Sequence, residues 1–250
     1  MAEPAVLEVR GLCKQFDGLR AVDELSFSVR EHQVLGLIGP NGSGKTTTMN
    51  LISGALQPSG GEILLRGQRI SGRHARDISR AGVARTFQLV RVLPSLSVVE
   101  NVMAGAVFGH QRLWGRAARL MAERQLERVG LQGATDQPVS ALTYIDEKRV
   151  ELARALAGEP TLLLLDEWLA GLNPTELRTG ITLIKSLRDE GRTIVLVEHV
   201  MDAIRSLCDH CVVMNSGAKI AEGPPEQALA DPEVVRAYLG DGEIVGDAHA

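Results

Sequence analysis

Aromatic residues are scarce, at 3% of 250 residues, too few to build the stacking platforms on which single-stranded nucleic acids bind. Positive charge is not in excess either: 27 Lys and Arg stand against 31 Asp and Glu, a net charge of −4. That balance leaves no basic footprint for nucleic acid. Cysteine occurs only three times, at Cys13, Cys208 and Cys211. An odd count argues against a disulfide framework and for a reducing cytosol. Cys208-Asp209-His210-Cys211 has the spacing of half a zinc site, but no second C-x-x-C closes a tetrahedron. The stretch reads as a helix end running into a strand. Long apolar runs are missing too: the stretch Leu162 to Leu165 is far short of a bilayer span. Met1 to Ala5 has neither the basic flank nor the apolar core of a secretory signal. Neither an internal repeat nor a low-complexity linker is present. The expectation is one large core, with or without a subdomain, either soluble or held at a membrane through a partner.

What is there is organised around Gly39-Pro40-Asn41-Gly42-Ser43-Gly44-Lys45-Thr46-Thr47. The apolar run Val34 to Ile38 feeds into it, and a helix-like stretch, Thr48 to Ile52, leaves it. G-x-x-x-x-G-K-T between a strand and a helix is a phosphate-binding pattern in its proper context. Glycines let backbone N–H groups curl around a polyphosphate, and the helix start adds unpaired donors. Lys45 is placed to reach the β- and γ-phosphates and the Thr46 hydroxyl to ligate Mg²⁺.

Around this loop the chain alternates. Val6–Val9, Leu25–Val29 and Glu62–Gly67 suit a small antiparallel sheet, with a turn at Phe16-Asp17-Gly18. A short helix over His74–Arg80 precedes a strand over Val83–Gln88. Helices follow at Ser97–Ala106, opened by an S-x-x-E capping box, and at Gly115–Val129, stopped by Gly130. Thr161–Glu167 and Thr193–Glu198 suit buried parallel strands. Between them Pro174–Asp189 reads as a helix capped by Asn173. A helix, a hairpin over Val212–Glu222 and a helical tail complete the chain. Strands alternating with helices imply an α/β fold with a parallel sheet. Ligands gather at the carboxyl ends of such strands, where Gly39, Asp166, Glu167 and His199 all fall.

Hydrolysis of a nucleoside triphosphate needs phosphate clamps, magnesium and an oriented water. Asp166, ending an apolar strand, is the expected Mg²⁺ partner, and Glu167 is placed to polarise the water. A lone histidine is often a satisfied core residue, but the position of His199 at the end of the neighbouring strand points to a γ-phosphate contact. Gln88, at another strand end, is placed to touch Mg²⁺ and the water, although a glutamine by itself is ordinary polar surface.

These residues resemble the ATP-binding subunits of ATP-binding cassette (ABC) transporters, over nearly the whole length of the chain. The loop Gly39–Thr47 is similar to the Walker A motif of that family. Gln88 matches its Q-loop, Leu162–Asp166 its Walker B strand and Glu167 its catalytic glutamate. Ala170-Gly171-Leu172-Asn173 is similar to the D-loop, His199 to the switch histidine and Phe16 to the aromatic that stacks on adenine. The resemblance implies an ABC-type P-loop ATPase that binds ATP and Mg²⁺. It implies one domain over residues 1–250, with a nucleotide-binding core (about 1–88 and 158–250), a small antiparallel β subdomain and a helical subdomain (about 89–157). It also implies catalytic roles for Glu167, His199 and Gln88, integral membrane permease subunits as partners, and a location in the cytoplasm on the inner face of the cell membrane.

Arg85-Thr86-Phe87-Gln88, Leu96 to Val102, Ala170 to Pro174 and Ala237-Tyr238-Leu239-Gly240 are similar to the larger ATPase subunit of branched-chain amino acid importers. That resemblance adds a solute-binding protein as an indirect partner. The segment Leu142-Thr143-Tyr144-Ile145-Asp146 departs from the family's Leu-Ser-x-Gly-Gln signature. Ile145 stands for a glycine whose missing side chain permits close approach to phosphate, and Asp146 brings negative charge toward a triphosphate. Thr143 and Asp146 instead suit an N-cap pair. Trp168 stands where a proline usually follows the catalytic glutamate. The expectation is a heterodimer with a second, different ABC ATPase, in which Thr143, Tyr144, Ile145 and Asp146 face the partner's site and weaken it. The alternatives are an ATP-dependent sensor with little turnover, a cassette protein of translation or DNA repair, and a nucleotide kinase. The last two lack their usual second cassette or coiled-coil insertion, or their acceptor motif.

Overall fold

The computed structural model describes residues 5–239, and for Leu239 the backbone alone. The readings made on Met1–Pro4 and on Gly240 lie outside the described residues. Two long strands, β1 (Ala5–Phe16) and β2 (Leu19–Arg30), form a hairpin turning at Asp17-Gly18. Both exceed their alternating cores, because the chain between Val9 and Leu25 stays paired through bulges where the period of two breaks. With β4 (Gly60–Leu65) and the short β5 (Gln68–Arg69) they make an antiparallel sheet in the order β2-β1-β4-β5.

The second sheet has the order β10-β9-β3-β8-β7-β6. Its strands are β3 (Val34–Ile38), β6 (Val83–Arg85), β7 (Leu162–Asp166), β8 (Thr193–Val197), β9 (His210–Asn215) and β10 (Ala218–Gly223). All pairs are parallel except β9–β10. β3, β7 and β8 are buried at every position, as strands covered on both faces must be. Alternate residues supply two cores. Leu35, Leu37, Leu162, Leu164, Val195 and Val197 face the antiparallel sheet and α1 (Lys45–Ile52). Ile38, Leu163, Leu165, Ile194 and Leu196 face the other helices.

Among these, α3 (Val98–Phe108), α4 (Gly115–Arg128) and α5 (Tyr144–Ala157) pack on one another. The capping box expected at Ser97 is formed, and the N-cap expected at Asn173 is formed as a capping box with Glu176, opening α6 (Pro174–Asp189). α2 (Ala75–Arg80), α7 (Met201–Leu207), α8 (Pro225–Ala230) and α9 (Pro232–Leu239) complete the elements.

β6 ends at Arg85 rather than at Gln88. The buried Glu151 of α5 explains the early exit, because its carboxylate accepts hydrogen bonds from the backbone N–H groups of Phe87 and Arg91. That draws the chain off the sheet before Gln88. The half zinc site is the expected helix-to-strand junction: Cys208 and Cys211 are buried and free, and Asp209 accepts from Val34 N–H at 2.8 Å. Among the described residues no cluster of His, Cys, Asp and Glu could hold a metal without other donors.

Candidate active site

The loop leaving β3 is gripped from two sides. Gly39 has φ 147°, and a Cβ there would lie 2.1 Å from the Met214 carbonyl of β9. Gly44 has φ 102°, and its Cβ would lie 2.4 Å from the Ala21 carbonyl of β2. Neither position accepts a side chain without moving a strand. Pro40, Asn41 and Gly42 form the outer rim, and Ser43 is buried beneath it. α1 starts directly at Lys45, with no side-chain cap and no acid in its first turn. Its first N–H groups therefore remain open to an anion. Thr46 is exposed at this helix start and Thr47 is half-buried. The Lys45 ammonium spans the mouth, donating to the Gly39 and Pro40 carbonyls at 2.8 Å each. Burial pushes its amine below the ordinary lysine value, and the charges of Glu167 and Asp166 oppose that shift.

Asp166 closes β7 and is 1% exposed. Its Oδ2 accepts from Arg85 Nη2 at 2.7 Å, and the Arg85 Nη1 donates to Asn50 Oδ1 and Ser53 Oγ on α1. Arg85 drew no attention in the sequence as a site residue. Only its register beside Leu164 on the neighbouring strand reveals it, and no sequence spacing carries that signal. Asp166 Oδ1 is buried with no hydrogen-bond partner. A carboxylate held by one oxygen, with the other bare beside the phosphate loop, fits a hard cation.

Glu167 carries a left-handed backbone, φ 50°, an uncommon conformation for a residue with a Cβ. Its N–H is fixed by the Val197 carbonyl of β8 at 2.9 Å. His199 Nε2 lies 2.9 Å from Glu167 Oε1, and Gln88 Nε2 donates to Oε2 at 2.8 Å. Residues following three strands, β6, β7 and β8, thus meet on one carboxylate, which is held yet partly open to solvent. Such a group can orient a water for attack on a phosphoryl group.

Two sets of predicted residues stand apart from this cluster. Phe16 lies at the tip of the β1–β2 hairpin, 41% exposed, with the Lys14 ammonium 4.8 Å from its ring centroid. At the start of α5, Thr143 is the N-cap and accepts from Asp146 N–H, and its hydroxyl donates to Asp146 Oδ2 at 2.8 Å. Asp146 Oδ1 is paired with Arg149 at 3.1 Å. Tyr144 is exposed, and Ile145 borders a cavity of about 520 Å³ that Trp168 also lines. Among the described residues no hydrogen bond ties Thr143–Asp146 to the phosphate loop.

The profile of the ABC transporter family matches residues 22–170, from within β2 through the Walker-type segments to Ala170. The chain belongs to the ABC transporter family. It is an ATP-binding cassette ATPase, with a parallel core sheet, an antiparallel sheet and helices. A second profile, of branched-chain amino acid ATP-binding cassette transporters, matches residues 218–244. The cassette is 41% identical to the high-affinity branched-chain amino acid transport ATP-binding protein BraF of Pseudomonas aeruginosa. It is 40% identical to the corresponding protein LivG of Salmonella typhimurium. Both alignments cover 96% of this chain and all of the relative. A solved ATP-binding cassette of an ABC transporter, in its ADP conformation, superposes with a TM-score of 0.85. It shares 29% identity and covers 95% of this chain and 99% of its own.

Proposed function

We propose that this cassette powers import of branched-chain or other amino acids, by hydrolysing ATP beneath membrane permease subunits fed by a solute-binding protein. The observation that carries the reading is the carboxylate of Glu167, held between His199 and Gln88 next to an open phosphate loop, in a chain whose relatives bear branched-chain transport names. Glu167 orients the attacking water, His199 meets the γ-phosphate, and Gln88 links the water to the bound cation. Gly39 to Thr47 wrap the phosphates, with Lys45 exchanging its loop carbonyls for phosphate oxygens. Phe16 stacks on adenine. Thr46, Asp166 and Gln88 would hold Mg²⁺, which when bound would neutralise charge on the phosphates. The bare Asp166 Oδ1 supports that assignment.

Residues 89–157 serve as the helical subdomain that meets the membrane subunits. An open groove between Arg85, Phe87, Phe108 and Arg154 supports this, with Leu93 and Phe108 exposed in its lining. No helix among the described residues is long and apolar enough to cross a membrane. The cassette sits on the cytoplasmic face through its permease, a location supported by the transport names of its relatives. The sensor reading is not favoured, because the relatives are transport proteins and the carboxylate is in place.

The second ATPase subunit is a different chain with an intact signature, since Ile145 and Asp146 would weaken both sites of a homodimer. Gentle extraction with identification of co-purifying subunits by mass tests this. A second cassette and permease chains are expected, and copies of this chain alone would sink the heterodimer. Uptake of leucine into vesicles holding the full complex tests the transport reading. It should depend on ATP and stop with Glu167→Gln.

A further inference from the structure

The segment after Glu167 is tied to α5 by a reciprocal clasp. Lys148, one turn into α5, is 1% exposed. Its ammonium donates to the Trp168 carbonyl at 2.9 Å and the Ala170 carbonyl at 2.7 Å, and lies 3.5 Å from the Glu167 carbonyl. In return the Trp168 indole N–H donates to the Lys148 carbonyl at 3.1 Å. The same ammonium lies 5.2 Å from the Tyr144 ring centroid, at the exposed start of the helix. Three convergent carbonyls on one buried cation form a rigid joint, because a main-chain shift on either side breaks charge-assisted hydrogen bonds in a dry site.

The joint has a specific output. Glu167 keeps a left-handed backbone that must be held from outside. Its N–H is held by β8, and its carbonyl side is held by Lys148. Trp168 is buried and its ring edge packs close to Gly180 of α6, where a Cβ would come within 3.1 Å. The segment is thus tied to α5 through the Lys148 ammonium and to α6 through the Trp168 ring.

We propose that Lys148, latched by the Trp168 indole, is a positioning residue for ATP hydrolysis: it makes the orientation of the Glu167 carboxylate follow the start of α5. Displacement at Thr143–Asp146 then reaches the carboxylate through one side chain. The proposal rests on the assignment of Glu167 as the group that orients the water.

The test uses the full transporter complex, with kcat for ATP hydrolysis and the affinity for a fluorescent ATP analogue measured separately. Lys148→Met keeps the aliphatic stem and removes the ammonium, and kcat should fall at least tenfold while nucleotide affinity stays within twofold. Trp168→Phe removes the indole donor together with the ring edge beside Gly180, and kcat should fall about threefold with the same unchanged affinity. A kcat within twofold of the parent in both folded variants would overturn the proposal. So would a parallel loss of kcat, affinity and melting temperature, which marks a merely structural contact. If Lys148→Met does not assemble, Trp168→Phe decides by the same criteria. Glu167→Gln run alongside separates the two readings: if it retains turnover, the catalytic assignment fails and the positioning role falls with it.

Discussion

Two helix starts in this cassette, those of α1 and α5, are finished in opposite ways. α1 begins after a glycine, with no side-chain cap and no acid in its first turn. α5 begins after Thr143, whose hydroxyl takes the Asp146 N–H, and carries Asp146 and Glu147 in its first turn. Both helices have the same orphan N–H groups and the same positive dipole end. In α1 these are left for an anion. In α5 one of them, the Asp146 N–H, is taken by the Thr143 hydroxyl, and two carboxylates offset the dipole. A phosphate approaching α1 meets open donors and Lys45, whereas one approaching α5 meets a closed cap and negative charge. The contrast supports an assembly with one competent site and one weakened site.

The competent side breaks most completely through Glu167. Replacing it with Gln keeps hydrogen bonding to Gln88 and His199 but removes the charge that orients water. ATP hydrolysis should fall about 100-fold or more, with nucleotide binding retained. Turnover within tenfold of the parent, in a colorimetric phosphate assay, would remove the carboxylate from the mechanism.

Between the two regions lies Glu198, buried, with one oxygen accepting from Leu169 N–H at 2.7 Å and the other without a partner. Burial pushes its carboxyl up to about 7 from 4.5, against the Leu169 hydrogen bond and the Lys148 charge. In that interval the folded state binds the proton and the unfolded state does not. Stability therefore falls as pH rises from about 4.5 to about 7 and then levels. Glu198→Gln should remove this slope, stabilising the protein by about 1–3 kcal/mol at pH 8 and by nothing near pH 4.5. Equal differences between variant and parent in urea melts at both pH values would show that Glu198 is not the group responsible.

The closed side should open with Ile145→Gly and Asp146→Gln together. Removing one negative charge near a triphosphate is worth on the order of 1 kcal/mol, or about fivefold in rate. ATPase activity of the reconstituted complex should rise by that factor. An unchanged rate would remove the basis for calling this half weak.

Much of this was legible because the signals are local. The phosphate loop, the acids at the end of β7, the Ser97 capping box and the Asn173 cap are defined by short spacings, and the alternation of strands and helices implies the parallel sheet. What escaped depends on contacts between distant segments. Arg85 matters because β6 lies beside β7, Lys148 because α5 lies under the Trp168–Ala170 turn, and Glu151 because it takes the Phe87 N–H that would otherwise extend β6. No spacing rule announces such pairs. The antiparallel pair and its turn at Asp17-Gly18 are legible, but the full length of β1 and β2 is not, since bulges interrupt the alternation that marks a strand.

The smallest effect concerns the cap itself. Thr143→Ala removes the hydroxyl that takes the Asp146 N–H, while Asp146 and Glu147 remain to offset the helix dipole. The loss should therefore lie at the low end of cap deletions, about 0.5 kcal/mol, or about 1–2 °C in melting temperature for a chain of this size. Because α1 has no cap to lose, nucleotide affinity at its open start should not change. If affinity there moved with Thr143, the two helix starts would be coupled within one chain even without hydrolysis, and the cap would then belong to the signalling path rather than to the stability of α5 alone.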